Sequence, residues 1–277
     1  MAENKSSEIK PGLYLIGMGP GRLELMTEEA LFYATQCTQR YYEAYTALWQ
    51  DHELMRLEQR VGPLERVMRP FIEHPEELLE RASQDAVAVM VVGDPLQATT
   101  HIDLQLRAEQ NGVKCHVLNG LSVTGLASGL TGLSNYKFGR QTTLTYPHGS
   151  WIATSPLEVI AFNRSHGFHT LVLLDLDPTG EGIGQQRPMQ PNDAFESLML
   201  MREKMNHNEM GDQLDDLESW RVLLCSDLGC SDQRITTTTI HRLSQLEGGR
   251  LNTLLVHGAL SDIEEVAISR WIEEEKT

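Results

Sequence analysis

Two α/β domains are predicted for this 277-residue chain by three observations. Strand-like and helix-like stretches alternate from residue 12 onward. The stretch AVAVMVVGDP at 86–95 opens with seven apolar residues in a row, as a central parallel strand covered on both faces requires. A glycine-rich stretch at 120–132, GLSVTGLASGLTG, then interrupts the alternation and marks a second unit, so the domains are read as 12–120 and 121–277.

The elements follow in order. Residues 1–11 are expected to be a disordered leader, and LYLI at 13–16 a strand. Thr27 stands before Glu28 and Glu29, a cap with acids in the first turn, so 27–37 is a helix. YYEAY at 41–45 is a short strand. Residues 46–70 are harder to assign and contain a breaker, Gly62-Pro63. Pro75 opens a helix, PEELLERASQ, ahead of the buried strand. HIDLQLRAEQNG at 101–112 is a helix closed by Gly112, and VKCHVL the next strand. This βαβαβ order implies a mostly parallel N-terminal sheet.

In the second unit TTLTYP at 142–147 is a strand, and SPLEVIAFNRSHG at 155–167 a helix with Ser155 as cap and Pro156 in its first turn. HTLVLLDLD at 169–177 is a buried strand, and 178–192 a loop by composition. DAFESLMLMREKM at 193–205 is a helix opened by the pair Asp193 and Glu196. RVLLCSD and LNTLLVHG are strands. Between them, the threonines of ITTTTIHRL are taken as part of a helix or its cap. IEEVAISRWIEEE at 263–275 is an acidic amphipathic helix.

Charge narrows the function. With 23 Lys and Arg against 39 Asp and Glu, the net charge is -16, and such a field repels a phosphate backbone. Direct nucleic-acid binding is therefore not expected. Cys37, Cys115, Cys225 and Cys230 form no CxxC pair, which argues against a zinc centre and a disulfide framework; Cys225 and Cys230 are read as structural. MAENKSSEIK has no apolar signal core, and no run of about 18 apolar residues exists, so a soluble cytoplasmic protein is expected.

The strand-end turn GMGPG at 17–21 has the layout of a phosphate cradle. It fails the dinucleotide fingerprint GxGxxG in two ways. The third glycine position is Arg22, and Pro20 has no N–H to give a phosphate. Glu43 is too late and isolated to serve as the ribose-binding acid. A second strand-end turn lies in VVGDPLQATTHIDLQLRA at 91–108. There Asp94 could bind a ribose hydroxyl or cap its own turn. Thr99 and Thr100 are N-cap candidates, and His101 a polar partner.

GMGPGRLELMTEEAL followed by GDPLQATTH resembles the tetrapyrrole methylase superfamily, the class III S-adenosylmethionine-dependent methyltransferases. Four further stretches resemble its diphthine synthase branch: YYEAYTAL at 41–48, ATTHIDLQLRA at 98–108, GLTGLSNYKFG at 129–139 and HGFHTLVLLDLD at 166–177. Length and TYPHGSW at 145–151 look archaeal-like. The family carries a Pro-Gly followed by Leu-His near its last strand; here VHGALS puts His257 at the proline and Ser261 at the histidine.

The resemblance implies two α/β domains, with a mixed C-terminal sheet and S-adenosylmethionine in the cleft between them, in a homodimer. It implies N-methylation of a histidine of translation elongation factor 2 that already bears a 3-amino-3-carboxypropyl group, giving diphthine in diphthamide biosynthesis. Carried over by position, the cofactor contacts are Pro20, Asp94, Gln97, Ser122, Val123 and Leu174, and in the looser C-terminal part Leu228 and Asn252. No catalytic residue and no metal site follow. A corrin or porphyrin precursor methyltransferase shares GxGPG and GDP, but the ATTHIDLQLRA and YKFG stretches argue against it. A cofactor-binding protein that has lost activity is kept open by VHGALS. His166 and His169 lack a third metal ligand, and Tyr136 and Lys137 are read either as lining a substrate mouth or as surface.

Overall fold

The computed structural model describes residues 9–149, 151–184, 186–205, 214 and 216–272. Most of the expected leader, residues 1–8, lies outside these, as do residues 273–275, the end of the stretch expected as the last helix. The chain divides into two units. One runs to Ser122 and includes Glu181–Gly184; the other takes Val123–Gly180 and the chain from 185 onward.

The first unit is a five-stranded sheet in the order β3-β2-β4-β1-β5. Its strands are β1 (Gly12–Gly17), β2 (Gln39–Glu43), β3 (Glu65–Val67), β4 (Ala86–Val91) and β5 (Cys115–Leu118), and every pairing is parallel. β1 and β4 are buried at all positions, and the register sets Leu15 beside Val89. Their even residues, Tyr14, Ile16, Ala88 and Met90, pack with Ala30, Trp49 and Leu57. These belong to α1 (Glu28–Gln36), the loop after β2, and α2 (Asp51–Val61). The odd residues, Leu13, Leu15, Val87 and Val89, pack with Ile72, Leu78, Leu79 and Leu104. Those side chains come from α3 (Arg69–Glu73), α4 (Glu76–Gln84) and α5 (His101–Gln110). A period of two with apolar residues in both phases thus covers both faces.

Thr27 caps α1 by accepting from the Ala30 amide at 3.1 Å. α2 is the element the sequence hides. It is largely polar, burying Glu53, Leu57 and Val61, and ends at Gly62 with φ 98°.

The second unit holds a mixed sheet in the order β6-β7-β10-β8-β9. Its strands are β6 (Thr142–Leu144), β7 (Thr170–Leu174), β8 (Arg221–Ser226), β9 (Arg234–Thr239) and β10 (Asn252–Val256). Only β6 and β7 are parallel. One face packs on α7 (Ser155–Ser165), α8 (Pro191–Met205) and α9 (Ile240–Leu243). The other packs on α6 (Val123–Thr131) and α10 (Asp262–Ser269).

Four expectations change in this unit; one is that the last helix, expected over 263–275, ends at Ser269, and Trp271 and Ile272 lie beside β9 instead. The threonines of ITTTTIHRL form β9, because β-branched residues fit the pleat beside β8; only Thr239 caps, accepting from the Arg242 amide. Ser155 already lies inside α7, whose cap position is Thr154. α8 starts at Pro191, so Asp193 lies within its first turn and reaches back to the Gln190 amide at 2.9 Å. β9 is an edge strand. The Thr237 amide bonds the Trp271 carbonyl at 2.8 Å, and a parallel bridge links Thr237 to Ile272.

Candidate ligand-binding turns

Three strand ends of the first sheet meet main chain to main chain. Gly19 and Gly93 form an antiparallel bridge through N–H···O bonds of 3.1 and 2.8 Å. Both have positive φ, 72° and 79°. The turn after β5 closes the group. A Cβ on Gly120 would fall 2.1 Å from the Gly93 carbonyl oxygen, and one on Gly17 would fall 2.5 Å from the Gly120 nitrogen. These glycines are required by backbone contact, not by a phosphate.

Asp94 ties the turns together. It is 5% exposed. One carboxylate oxygen accepts from the Leu96 amide at 3.0 Å. The other accepts from Asn119 Nδ2 at 3.1 Å and the Gly120 amide at 3.3 Å. The two roles weighed for Asp94 are compatible. It caps its own turn, and an ionised carboxylate, with about four acceptor sites, keeps capacity for one more donor.

Of the four residues expected here, Pro20 is buried on the first turn, Gln97 is exposed on the second, and Ser122 is half-buried on the third. With Asp94, all four sit on these adjoining turns. Ala98 has φ 56°, bending the chain between Gln97 and α5, and the Thr99 hydroxyl beside it is buried without a partner. Thr100 holds the cap position of α5 but makes no cap bond through its side chain. His101 contacts the Pro95 carbonyl through Nδ1 at 3.0 Å, so Nδ1 carries the proton. Its Nε2 then faces the Tyr45 hydroxyl at 3.5 Å.

In the second unit, Leu174 ends β7, Asn252 starts the antiparallel β10, and Leu228 follows β8. Thr253 stands opposite Leu173, and Asn252 opposite Ser226. The three residues therefore share one end of the sheet, while Val123 opens α6. The Asn252 side chain is fully engaged. Its oxygen accepts from the Ser226 hydroxyl and the Gly249 amide, and its nitrogen donates to the carbonyls of Met189 and Gly249. It offers a ligand main chain only. Asp227, at φ 50°, holds the facing loop by accepting from the Arg250 and Leu251 amides.

The altered VHGALS segment is built into a buried polar cluster in the second unit. Glu264 on α10 accepts from Lys137 Nζ, the Ser261 amide and hydroxyl, the Ser134 amide and His169 Nε2. Burial raises its pKa, but these donors outweigh that and hold it well below the usual range. His169 accepts from the Gly258 amide at Nδ1, so its proton sits on Nε2, and burial pushes its pKa down. Ser261 completes a capping box with Glu264. Lys137 is thus an ion-pair partner, whereas Tyr136 beside it is 92% exposed. His166 lies apart from this cluster, bonding the Phe162 carbonyl.

A parallel sheet whose strand-end turns are tied together by a buried acid has the arrangement at which open α/β proteins place their ligands. The family profile described as Tetrapyrrole (Corrin/Porphyrin) Methylases matches residues 12–244. The chain is 34% identical over 194 residues to a diphthine synthase of Methanoregula boonei, covering 69% of this chain and 75% of that one. It is 32% identical over 271 residues to a probable diphthine methyl ester synthase of Arabidopsis thaliana, covering 91% and 95%. A crystal structure of a diphthine synthase superposes with a TM-score of 0.79 at 26% identity, over 94% and 95% of the two chains. The chain belongs to the tetrapyrrole methylase family, on its diphthine synthase branch, and is a methyltransferase.

Proposed function

We propose that this methyltransferase uses S-adenosylmethionine to methylate the amino group of the 3-amino-3-carboxypropyl-histidine of elongation factor 2, yielding diphthine. The observation that carries the reading is the match to a diphthine synthase over 69% of the chain and to a probable diphthine methyl ester synthase over 91%. The strand-end turns support the choice of cofactor. They carry a buried acid at Asp94 and no N–H at Pro20, and apart from Arg22 no cation. That donor set suits a ligand with hydroxyls and a cationic centre, not a pyrophosphate.

Pro20, Asp94, Gln97, Ser122, Val123, Leu174, Leu228 and Asn252 would hold the cofactor. When bound, S-adenosylmethionine supplies a methyl group already activated by a sulfonium. The chain is left with orientation. Asp94 fixes the turns by three hydrogen bonds, and Asn252 fixes its loop by four. Holding reactants aligned supplies about 7–11 kcal/mol of barrier reduction, enough for an amine that attacks in its neutral form and releases its proton to water.

We extend the reading to a cytoplasmic homodimer. Ile263 and Val266, 81% and 68% exposed on α10, offer apolar area for a second copy. No helix among the described residues is long and apolar enough to cross a membrane.

The test supplies labelled S-adenosylmethionine with elongation factor 2 bearing the unmethylated intermediate. Label is expected on the factor; transfer to a tetrapyrrole precursor instead would sink the reading. Mass spectrometry of the product counts methyl groups. It separates amine methylation alone from the added ester implied by the plant relative's name.

A further inference from the structure

The first turn is gripped from behind by a segment that resembles no motif. Trp49 is fully buried, and its indole N–H donates to the Gly19 carbonyl at 3.0 Å. Its own amide donates to the Tyr42 hydroxyl at 3.0 Å, which fixes the indole relative to β2. One helical turn further on, Glu53 is 5% exposed, although it is a carboxylate on an otherwise apolar buried face. It accepts from the Leu23 amide at 3.0 Å. Arg56 binds the same carboxylate at 2.9 Å and also pairs with Glu24. The two bonds to the turn fall on either side of Pro20, at Gly19 and Leu23.

Burying a carboxylate is costly unless it is bonded, and a core position would fold more cheaply with leucine. Glu53 and Trp49 each give one side-chain hydrogen bond to the main chain that flanks Pro20. Packing alone does not require this. Leu57, on the same helix and in the same core, fills its place with no polar contact.

We infer that Trp49 and Glu53 are positioning residues that hold the GMGPG turn in its ligand-binding shape; the inference rests on the assignment of that turn to S-adenosylmethionine. Neither residue touches the ligand. Each acts through the backbone of residues 19–23.

The test measures S-adenosylmethionine affinity by calorimetry and thermal stability on the same variants of the full chain. Trp49→Phe removes the indole N–H and keeps an aromatic ring, and Glu53→Leu removes the acceptor and keeps a buried side chain. Leu57→Ala is the control, since it cuts a cavity into the same core and removes no hydrogen bond to the turn. The expected result is weaker binding by about three- to tenfold for Trp49→Phe and for Glu53→Leu, the range of one lost hydrogen bond. Leu57→Ala should lower the melting temperature with its affinity unchanged. If both variants bind like the native chain, or lose no more affinity than Leu57→Ala at a matched loss of stability, the two residues are merely structural and the inference is overturned. Should Trp49→Phe not fold, Glu53→Leu decides alone, with Glu53→Gln as a milder replacement that keeps an acceptor for the Leu23 amide and should bind as the native chain does. Failure of the native chain to bind S-adenosylmethionine would refute the cofactor assignment itself, a different outcome from native binding with unaffected variants.

Discussion

Asp94→Ala removes one acceptor from three donors in a region where little water reaches. The bonds to the Leu96 amide and Asn119 Nδ2, at 3.0 and 3.1 Å, are of full strength, and that to the Gly120 amide, at 3.3 Å, is marginal. A hydrogen bond to a charged group contributes about 1.5–3 kcal/mol. Two such bonds, partly replaced by water entering the vacated space, give a loss of roughly 2–4 kcal/mol. Asp94→Asn should cost about half as much. Its amide can keep one oxygen toward Asn119 and Gly120, and only the Leu96 amide then faces an N–H. Urea unfolding followed by the fluorescence of Trp49, which lies within the first unit, measures the loss. Calorimetric titration with S-adenosylmethionine measures whether affinity falls with it. An Asp94→Ala variant within about 0.5 kcal/mol of the native chain, with unchanged affinity, would refute both the staple and the cofactor assignment.

Glycine substitutions should split sharply. Gly120→Ala puts a Cβ 2.1 Å from the Gly93 oxygen and should prevent folding of the first unit or cost more than about 4 kcal/mol; Gly112→Ala has open space and pays only for φ 71°, about 1 kcal/mol. Acid should destabilise the second unit in two stages. His169 has a folded pKa below its ordinary 6.5, so stability present above that value falls as pH drops through and beneath it. Glu264 has a folded pKa below 4.5, so its contribution is present above 4.5 and lost as pH falls further. Glu264→Ala should cost about 3–5 kcal/mol at neutral pH and flatten the lower stage of a stability–pH curve. Cys37 and Cys225, buried with thiols pushed up to about 12, should resist a disulfide reagent at pH 8 in the native chain and react once it is unfolded.

The parallel sheet was legible because β1 and β4 are short runs, apolar in both phases, that each end in a glycine turn. The strand-end turns were legible through Gly17, Gly19, Pro20 and Asp94, whose residue types are unusual together. Trp49 and Glu53 were not. One of the few buried positions of α2 is charged, and Glu53 reads as surface until the Leu23 amide is seen to need it. β9 was misread because threonine serves both caps and strands, and only the pairing with β8 decides between them. Lys137 could not be placed because its partner, Glu264, lies 127 residues away. The tautomers of His101 and His169 likewise depend on carbonyls and amides that sequence does not bring together.

The bridge between Thr237 and Ile272 bears on how this chain coexists with copies of itself. A sheet edge offers unsatisfied amides to any passing strand, and a threonine-rich edge has the β-propensity to accept one. Here the Thr237 amide is already bonded to Trp271, and its hydroxyl to the Ile268 carbonyl. The segment leaving α10 thereby covers the middle of this edge. A chain cut after Arg270 would keep both its sheets and its strand-end turns, yet should gain thioflavin-positive assembly on standing at high concentration.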